Sequence, residues 1–380
     1  MISSASALEI KGSTLGALLL CLFAGCTGES APSPPTGRVQ SSPPVVADVV
    51  VDASAGGLLG EPPASIRRWN FERELMGTRF RITLIGGKSA KASRSAARAF
   101  AEVARVEARI STWQPSSELS ALNQRAGGEP VSLSSESLSL LREAVSLAAL
   151  SNGAFDPTWA AFKGLWDFRR ELLPRQHELH AARALVGHQG LELDIQRRTG
   201  RLSRRGMAID LGGIGKGYAI DRAVLALRMA GWKNFSVDGG GDLYLSGRPA
   251  PERRWQIGIR HPRRSGEVLF TLSLENQAIA TSGDYERFFI KDGIRFHHII
   301  DLRSGYPAQG AVSVTVTGAR AVLVDAWATA LMVLGPREGL PLIQRQSGFE
   351  AALLAREGEI HTTPQLRESL PRRWRPLSVP

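Results

Sequence analysis

The chain has 380 residues, a formal net charge of +11 and only two cysteines, Cys21 and Cys26. So few cysteines, both near the start, exclude a disulfide scaffold and a cysteine-based metal centre, and the length suffices for a large core without either. The basic residues occur as scattered pairs (Arg169-Arg170, Arg204-Arg205, Arg253-Arg254, Arg263-Arg264, Arg372-Arg373) with no basic helix, zinc spacing or interleaved aromatics, which excludes a dedicated nucleic-acid reader and leaves a basic soluble surface with weak attraction for anions.

The first segment is a leader. Leu15 to Ala24 is an apolar run preceded by Lys11, too short to span a bilayer and of the length of a signal-peptide core. Phe23-Ala24-Gly25-Cys26 resembles the lipobox of bacterial lipoproteins, with Phe23 where that motif usually has leucine. The resemblance implies cleavage before Cys26, lipid on Cys26, and a mature chain without a thiol. From Thr27 to about Ser65 the sequence is rich in Pro, Ser, Gly and Ala, so we expect a leader at 1–25, a lipid-anchored flexible linker at 26–65 and a folded domain at 66–380. Within the linker, Val45 to Val51 has the composition of a stray strand.

Periodicity then predicts the elements of the domain. Phe80, Ile82 and Leu84 alternate as in a strand; Phe100, Val103, Val106 and Ile110 recur at helical spacing, and Leu138, Leu141, Val145 and Ala148 form a second helical stripe. Asp156-Pro157 predicts a helix start, an N-cap acid followed by proline, with Trp159, Phe162 and Trp166 on its apolar face. Further on, Val268, Phe270, Leu272 and Leu274 alternate, as do Val312, Val314 and Val316. Helices mixed with alternating strands, without a regular βαβ repeat, give an α+β fold.

Four stretches carry the chemistry. Asp210 to Asp221 is punctuated by Gly212, Gly213, Gly215 and Gly217 around Lys216. Met207-Ala208-Ile209 reads as a strand end and Ile220, Val224 and Leu227 as a helix, so the stretch is a strand-to-helix turn whose amides face a diphosphate. Ile220 stands where a dinucleotide fingerprint needs its third glycine, and Asp210 and Gly217 break the P-loop pattern; a plain glycine-rich turn with a solvated lysine stays open. Asp325 and Thr329, four apart, share a helical face and offer two oxygens to Mg²⁺, and an aspartate in so apolar a helix calls for a counter-charge. Phe296-His297-His298-Ile299-Ile300-Asp301, read as a strand, can aim only one histidine at a given site. Ala280 to Arg287 adds Thr281, Ser282, Asp284 and Glu286.

Taken in order, these stretches resemble the ApbE family of flavin transferases, which move FMN from FAD to a threonine of a target protein. The similarity runs from about Phe71 to Gly335. It includes Met76-Gly77-Thr78; Ser111-Thr112-Trp113-Gln114-Pro115, with Trp113 where the family more often has tyrosine; Gly153-Ala154-Phe155-Asp156-Pro157-Thr158; Asp210 to Asp221; Gly239-Gly240-Gly241-Asp242; Thr281-Ser282-Gly283-Asp284-Tyr285; His298-Ile299-Ile300-Asp301; and Asp325-Ala326-Trp327-Ala328-Thr329. The resemblance implies two intimate lobes of mixed sheets and helices with a deep FAD-binding cleft. It implies FAD contacts at Met76, Trp113, Ala154, Phe155, Asp156, Asp210, Lys216 and Ile300. Mg²⁺ would take side-chain oxygens of Asp325 and Thr329 and backbone carbonyls of Gly213 and Ala328. His298 matches a histidine proposed as base, with Asp284 a second candidate. The implied reaction is Mg²⁺-dependent transfer of FMN from FAD to a threonine hydroxyl, with AMP released. The resemblance implies a membrane redox subunit as partner, and the leader with its lipobox-like motif implies an exported, lipid-anchored enzyme facing the periplasm. If water replaces threonine the same site is an FAD pyrophosphatase; a non-catalytic flavin-binding lipoprotein would need neither the metal ligands nor a base.

Overall fold

The computed structural model describes residues 49–51 and 67–369. The leader, Cys26 and most of the linker expected at 26–65 lie outside the described residues. Val49–Val51 is a strand paired antiparallel with Trp255–Arg260, so strand structure occurs within the stretch read as a tether.

The centre is an antiparallel sheet of eight strands. From one edge to the other they are Ile360–Thr362, Glu350–Leu354, Ser313–Gly318, Gln277–Gly283, Asp242–Ser246, Phe235–Gly239, Thr78–Ile85 and Arg68–Leu75. Among the described residues seven α-helices accompany it: α1 (Ser89–Ile110), α2 (Glu118–Gln124), α3 (Ser135–Leu150), α4 (Gln176–Arg183), α5 (Gly215–Met229), α6 (Ala321–Ile343, broken at Gly335) and α7 (Pro364–Ser369). Alternation along the strands divides the core. Phe80, Ile82, Leu84, Ala280, Val314 and Leu353 face α1, α5 and α6. Leu243, Leu245, Ile279 and Leu354 face a three-stranded sheet carrying Trp255, Ile257, Ile259 and Leu272. Three layers result, with the main sheet covered on both sides. The α+β class expected from sequence is the one found.

Local departures have physical causes. The Asp156–Pro157 start is real, but it opens a 3₁₀ turn, Pro157–Phe162. At three residues per turn no common stripe can extend to Trp166, and Phe162 and Trp166 pack in separate clusters. Along Val268–Leu274 a register shift between Val268 and Phe270 leaves Val268 exposed and turns both Leu269 and Phe270 inward, as a β-bulge does. Met207 to Ile209 is not a strand; the Asn123 side-chain amide binds both Ile209 N–H (2.7 Å) and Ile209 C=O (2.9 Å), so one side chain replaces a ladder partner.

The feature that fixes the site is the meeting of two helix starts. Neither α5 nor α6 has a capping side chain of its own. Asp325 of α6 accepts from the Gly217 N–H of α5 (3.0 Å), and Asp221 of α5 accepts from the Ala321 and Val322 N–H groups of α6 (2.8 and 3.2 Å). Each helix thus caps the other, satisfying first-turn amides that nothing else reaches. The exchange requires near-contact of the backbones: a Cβ on Gly217 would fall 2.2 Å from the Ala321 carbonyl oxygen. A second brace holds α5 to α1 and α3, where Glu136 accepts from Arg109 (2.6 Å), Tyr218 (2.8 Å) and Arg105; the Arg105 bonds hold the Glu136 carboxyl down to about 2.

Gly217→Ala tests the close approach. Helix propensity alone predicts a gain of up to ~1 kcal/mol for this change, whereas the clash predicts a loss of about 1–3 kcal/mol. Denaturant unfolding reads the sign, and a stabilised variant would contradict the packing described.

Candidate functional site

The glycine turn begins at Asp210, whose carboxylate is held at three points. Thr112 Oγ1 (2.7 Å) and Lys163 Nζ (2.9 Å) donate to Oδ2, and the Gly212 N–H (2.7 Å) donates to Oδ1. Lys163 also lies 4.3 Å from the centre of the Trp113 ring, a cation–π contact. The ring itself is 82% exposed. Trp113 and Asp210, both expected to touch a flavin nucleotide, therefore belong to one assembly, and Lys163 joins them. Nothing in the sequence singles out Lys163, a lone lysine among Trp159, Phe162 and Trp166.

Five residues farther on, at Gly215, the chain enters α5, and the charges concentrate. Lys216 is ion-paired with Asp242 and lies 3.6 Å from Asp325 Oδ1. This is the counter-charge that a buried aspartate in an apolar helix requires. Burial pushes the Asp242 carboxyl up to about 7, with the Lys216 ammonium opposing and Asp325 reinforcing the rise; burial likewise raises Asp238, across the turn on the other strand of the same hairpin, to about 6. The local balance is short of positive charge: two buried carboxylates face one ammonium.

Beside this pair, Thr329 packs against Gly213, where a Cβ would come within 3.1 Å of Thr329 Oγ1 and 3.4 Å of the Phe155 ring. Thr329 Oγ1 donates to the Asp325 carbonyl (3.3 Å), and Ala328 is buried next to it. Gly213, Asp325, Ala328 and Thr329 thus lie in one neighbourhood at the start of α5. Among the described residues no three His, Cys, Asp or Glu side chains gather to hold a metal. The donors on hand are one carboxylate, one hydroxyl and backbone carbonyls, an all-oxygen set that suits a hard divalent cation, and the deficit of positive charge favours one. The residues present fit Mg²⁺.

The two histidines separate sharply. His297 ends its strand buried, with Nε2 2.8 Å from the Ala308 carbonyl. His298 falls in the bend that follows, its ring half-buried and its Nδ1 sealed from solvent without a hydrogen-bond partner among the described residues. Desolvation drives the His298 imidazole down to about 3, and the positive charges of its neighbours, Lys216 among them, add to the effect. It is a neutral base at any physiological pH. Asp284, the alternative, is gripped by the Arg263 fork at 2.7 and 2.6 Å, with Arg295 at 4.0 Å; both oxygens are engaged, which suits an anchor rather than a proton acceptor.

The remaining residues divide in the same way. Met76 occupies a left-handed conformation (φ 53°) in the turn joining Arg68–Leu75 to Thr78–Ile85, which is uncommon for a side chain of its size; a Cβ on Gly215 would lie 3.7 Å from its methyl group, so Met76 lies against the start of α5. Ala154 and Phe155 are buried next to Asp156. Asp156 is a structural hub: it accepts from Thr158 N–H and Oγ1 (2.9 and 2.6 Å) and from His188 N–H (2.8 Å), with His188 Nδ1 at 2.9 Å. Ile300 packs with Trp166 and Phe289. Asp156, Asp284 and Ile300 thus brace the site, whereas Met76, Phe155, Gly213, Lys216, Asp325 and Thr329 converge on the first turn of α5.

Comparison with known proteins places this arrangement. The chain is 35% identical over 247 residues to the FAD:protein FMN transferase of Vibrio cholerae, covering 63% of this chain and 73% of that protein. It is 32% identical over 309 residues to the FAD:protein FMN transferase of Treponema pallidum, covering 77% and 85%. Among solved structures, the ApbE protein of Thermotoga maritima superposes with a TM-score of 0.74 at 29% identity, covering 80% of this chain and 99% of that one. The flavin transferase ApbE of Vibrio cholerae superposes with a TM-score of 0.72 at 29% identity, covering 80% and 100%. The profile of the ApbE family matches residues 76–353; the chain belongs to the ApbE family.

Proposed function

We propose that the protein transfers the FMN portion of FAD to a threonine hydroxyl of an acceptor protein and releases AMP. The observation that carries this reading is the grouping at the start of α5, where Lys216, two buried carboxylates and the Thr329 hydroxyl share a neighbourhood with a neutral imidazole whose Nδ1 has no hydrogen-bond partner among the described residues. Phosphoryl-type transfer asks for little else: charge neutralisation of a diphosphate, alignment, and a base for the incoming hydroxyl.

In this reading Trp113 offers its exposed face to one ring system of FAD, and Lys216 holds the diphosphate. Asp325, Thr329 and the carbonyls of Gly213 and Ala328 would hold Mg²⁺, which when bound supplies positive charge to the phosphate oxygens. His298 takes the proton of the threonine hydroxyl as that oxygen attacks the flavin-side phosphorus. The new P–O bond forms, the anhydride bond breaks, and its electron pair departs on the phosphate of AMP. The leader-like Leu15 to Ala24 and the lipobox-like Phe23-Ala24-Gly25-Cys26 support placing the folded domain on the outer side of a bacterial membrane, attached through Cys26, with an outward-facing redox subunit as acceptor.

The direct test is incubation with FAD, Mg²⁺ and a threonine-bearing acceptor, followed by mass measurement for one added FMN; release of FMN with no acceptor labelled would point to hydrolysis. His298→Ala lowers transfer on the order of 10²–10⁴-fold while FAD still binds. His297→Ala removes a bond to the backbone of Ala308 and acts chiefly on stability. Normal transfer by the His298 variant would remove it as base.

Asp325→Asn separates the two duties of that side chain. The amide oxygen can still cap Gly217, so stability changes by only about 1 kcal/mol. The charge opposite Lys216 is lost, and the Mg²⁺ concentration for half-maximal rate rises 10–100-fold or more, on the order of what even indirect metal contacts contribute. An unaltered Mg²⁺ dependence would leave Asp325 as a cap alone.

A further inference from the structure

The first half of α1 is basic on the side turned away from the core. Ala92, Ser95, Ala96, Ala99 and Phe100 form its buried stripe, and Lys91, Arg94 and Arg98, at i, i+3 and i+7, face solvent with Lys88 just ahead. No Asp or Glu occurs between Gly86 and Ala101, and none of the four cations has an ion-pair partner among the described residues. Beside them α5 exposes two apolar side chains one turn apart, Leu225 (43%) and Met229 (81%). The two helices make one surface: Ala230 lines a groove with Lys91, Arg94 and Arg98, and Lys91 Nζ lies 5.2 Å from the Trp232 ring centre.

These charges do nothing for the helix that bears them. Cations near a helix start oppose its dipole, and α1 has neither an acidic residue in its first turn nor a capping side chain to offset them. An exposed methionine adds nothing to the fold either. Long-stemmed cations around protruding flexible apolar side chains are the composition of a surface that rests in a lipid interface, where the cations meet phosphate headgroups and the apolar tips enter the acyl boundary.

We propose that this face, Lys91, Arg94 and Arg98 with Leu225 and Met229, docks the folded domain on an anionic lipid surface. None of these residues belongs to the flavin-binding group, so the proposal stands apart from the reading of the active site. Binding of this kind holds the domain in a set orientation against the membrane instead of leaving it to tumble.

The test uses the full chain carrying Cys26→Ser, so that no lipid contributes, and co-sedimentation with vesicles of phosphatidylcholine alone or with roughly a third phosphatidylglycerol. Three surface cations predict a preference on the order of a hundred-fold for the anionic vesicles, lost when salt approaches molar concentration and the screening length shrinks. The triple variant Lys91→Gln, Arg94→Gln, Arg98→Gln abolishes the preference while FAD affinity is unchanged, and Met229→Ser weakens binding on the order of ten-fold. The salt titration needs no variant and guards against one that misfolds. Equal binding to both vesicles overturns the proposal, as does a triple variant that keeps its preference. Retention by polyglutamate without any preference between vesicles would assign the face to an acidic polymer and overturn it too.

Discussion

Two helices begin at one point, and each supplies the carboxylate that caps the other. Asp325 binds the first turn of α5 and Asp221 binds the first turn of α6, across a gap that only a glycine at 217 permits. The placement of nearly every group in the site depends on that exchange. It sets where α5 starts, and so where Lys216 emerges; it sets the rotation of α6, and so puts Thr329 against Gly213. The glycine turn then has one path from Asp210 to Gly215, because Asp210 is itself tied to Thr112 and Lys163. A capping interaction is ordinarily a modest local term of about 1 kcal/mol. Here two of them act in opposite directions between the same helices, and the geometry of a binding site follows.

The electrostatics of the junction explain what it can accept. Asp242 and Asp325 share one ammonium, and burial already pushes Asp242 toward its protonated form. A divalent cation would relieve that imbalance. The imidazole of His298 is held neutral by the same low-dielectric surroundings and by the positive charges near it. Desolvation and nearby cations both depress its basicity, so its competence as a base would arise from position, and with Nδ1 sealed from solvent it is Nε2 that would meet an incoming hydroxyl. Asp284 shows the contrast: a carboxylate with both oxygens locked into the Arg263 fork.

Much of this was legible in the sequence because it follows local periodicity. The strand at Phe80–Leu84 and the helices over Phe100–Ile110 and Leu138–Ala148 appear where their apolar spacing places them, whereas the helix carrying Ile220, Val224 and Leu227 starts earlier than that spacing shows, at Gly215 within the glycine-punctuated stretch. The grouping of Gly213, Asp325 and Thr329 was also available, through ordered motifs shared with a family. What escaped is nonlocal or unperiodic. Asn123 imitating a β-strand partner for Ile209, 86 residues away, leaves no trace in a hydrophobic pattern. Lys163 gains its meaning only once Trp113 and Asp210 are folded against it. The basic face of α1 is missed by any search for adjacent basic pairs, because Lys91, Arg94 and Arg98 gather on one side only after the helix forms.

The most direct measurement of the account is made on Asp221, which caps α6 and belongs to none of the proposed ligand-binding groups. In Asp221→Ala, Mg²⁺ and FAD affinities are determined under conditions where the variant remains folded, alongside its unfolding free energy. If the paired caps position the site, stability falls by about 1–2 kcal/mol and both affinities fall with it, because Asp325 and Thr329 ride on the helix whose start has been loosened. A variant that loses the stability yet binds Mg²⁺ and FAD as tightly as the unaltered protein would show that the site is set by something other than the junction of the two helices.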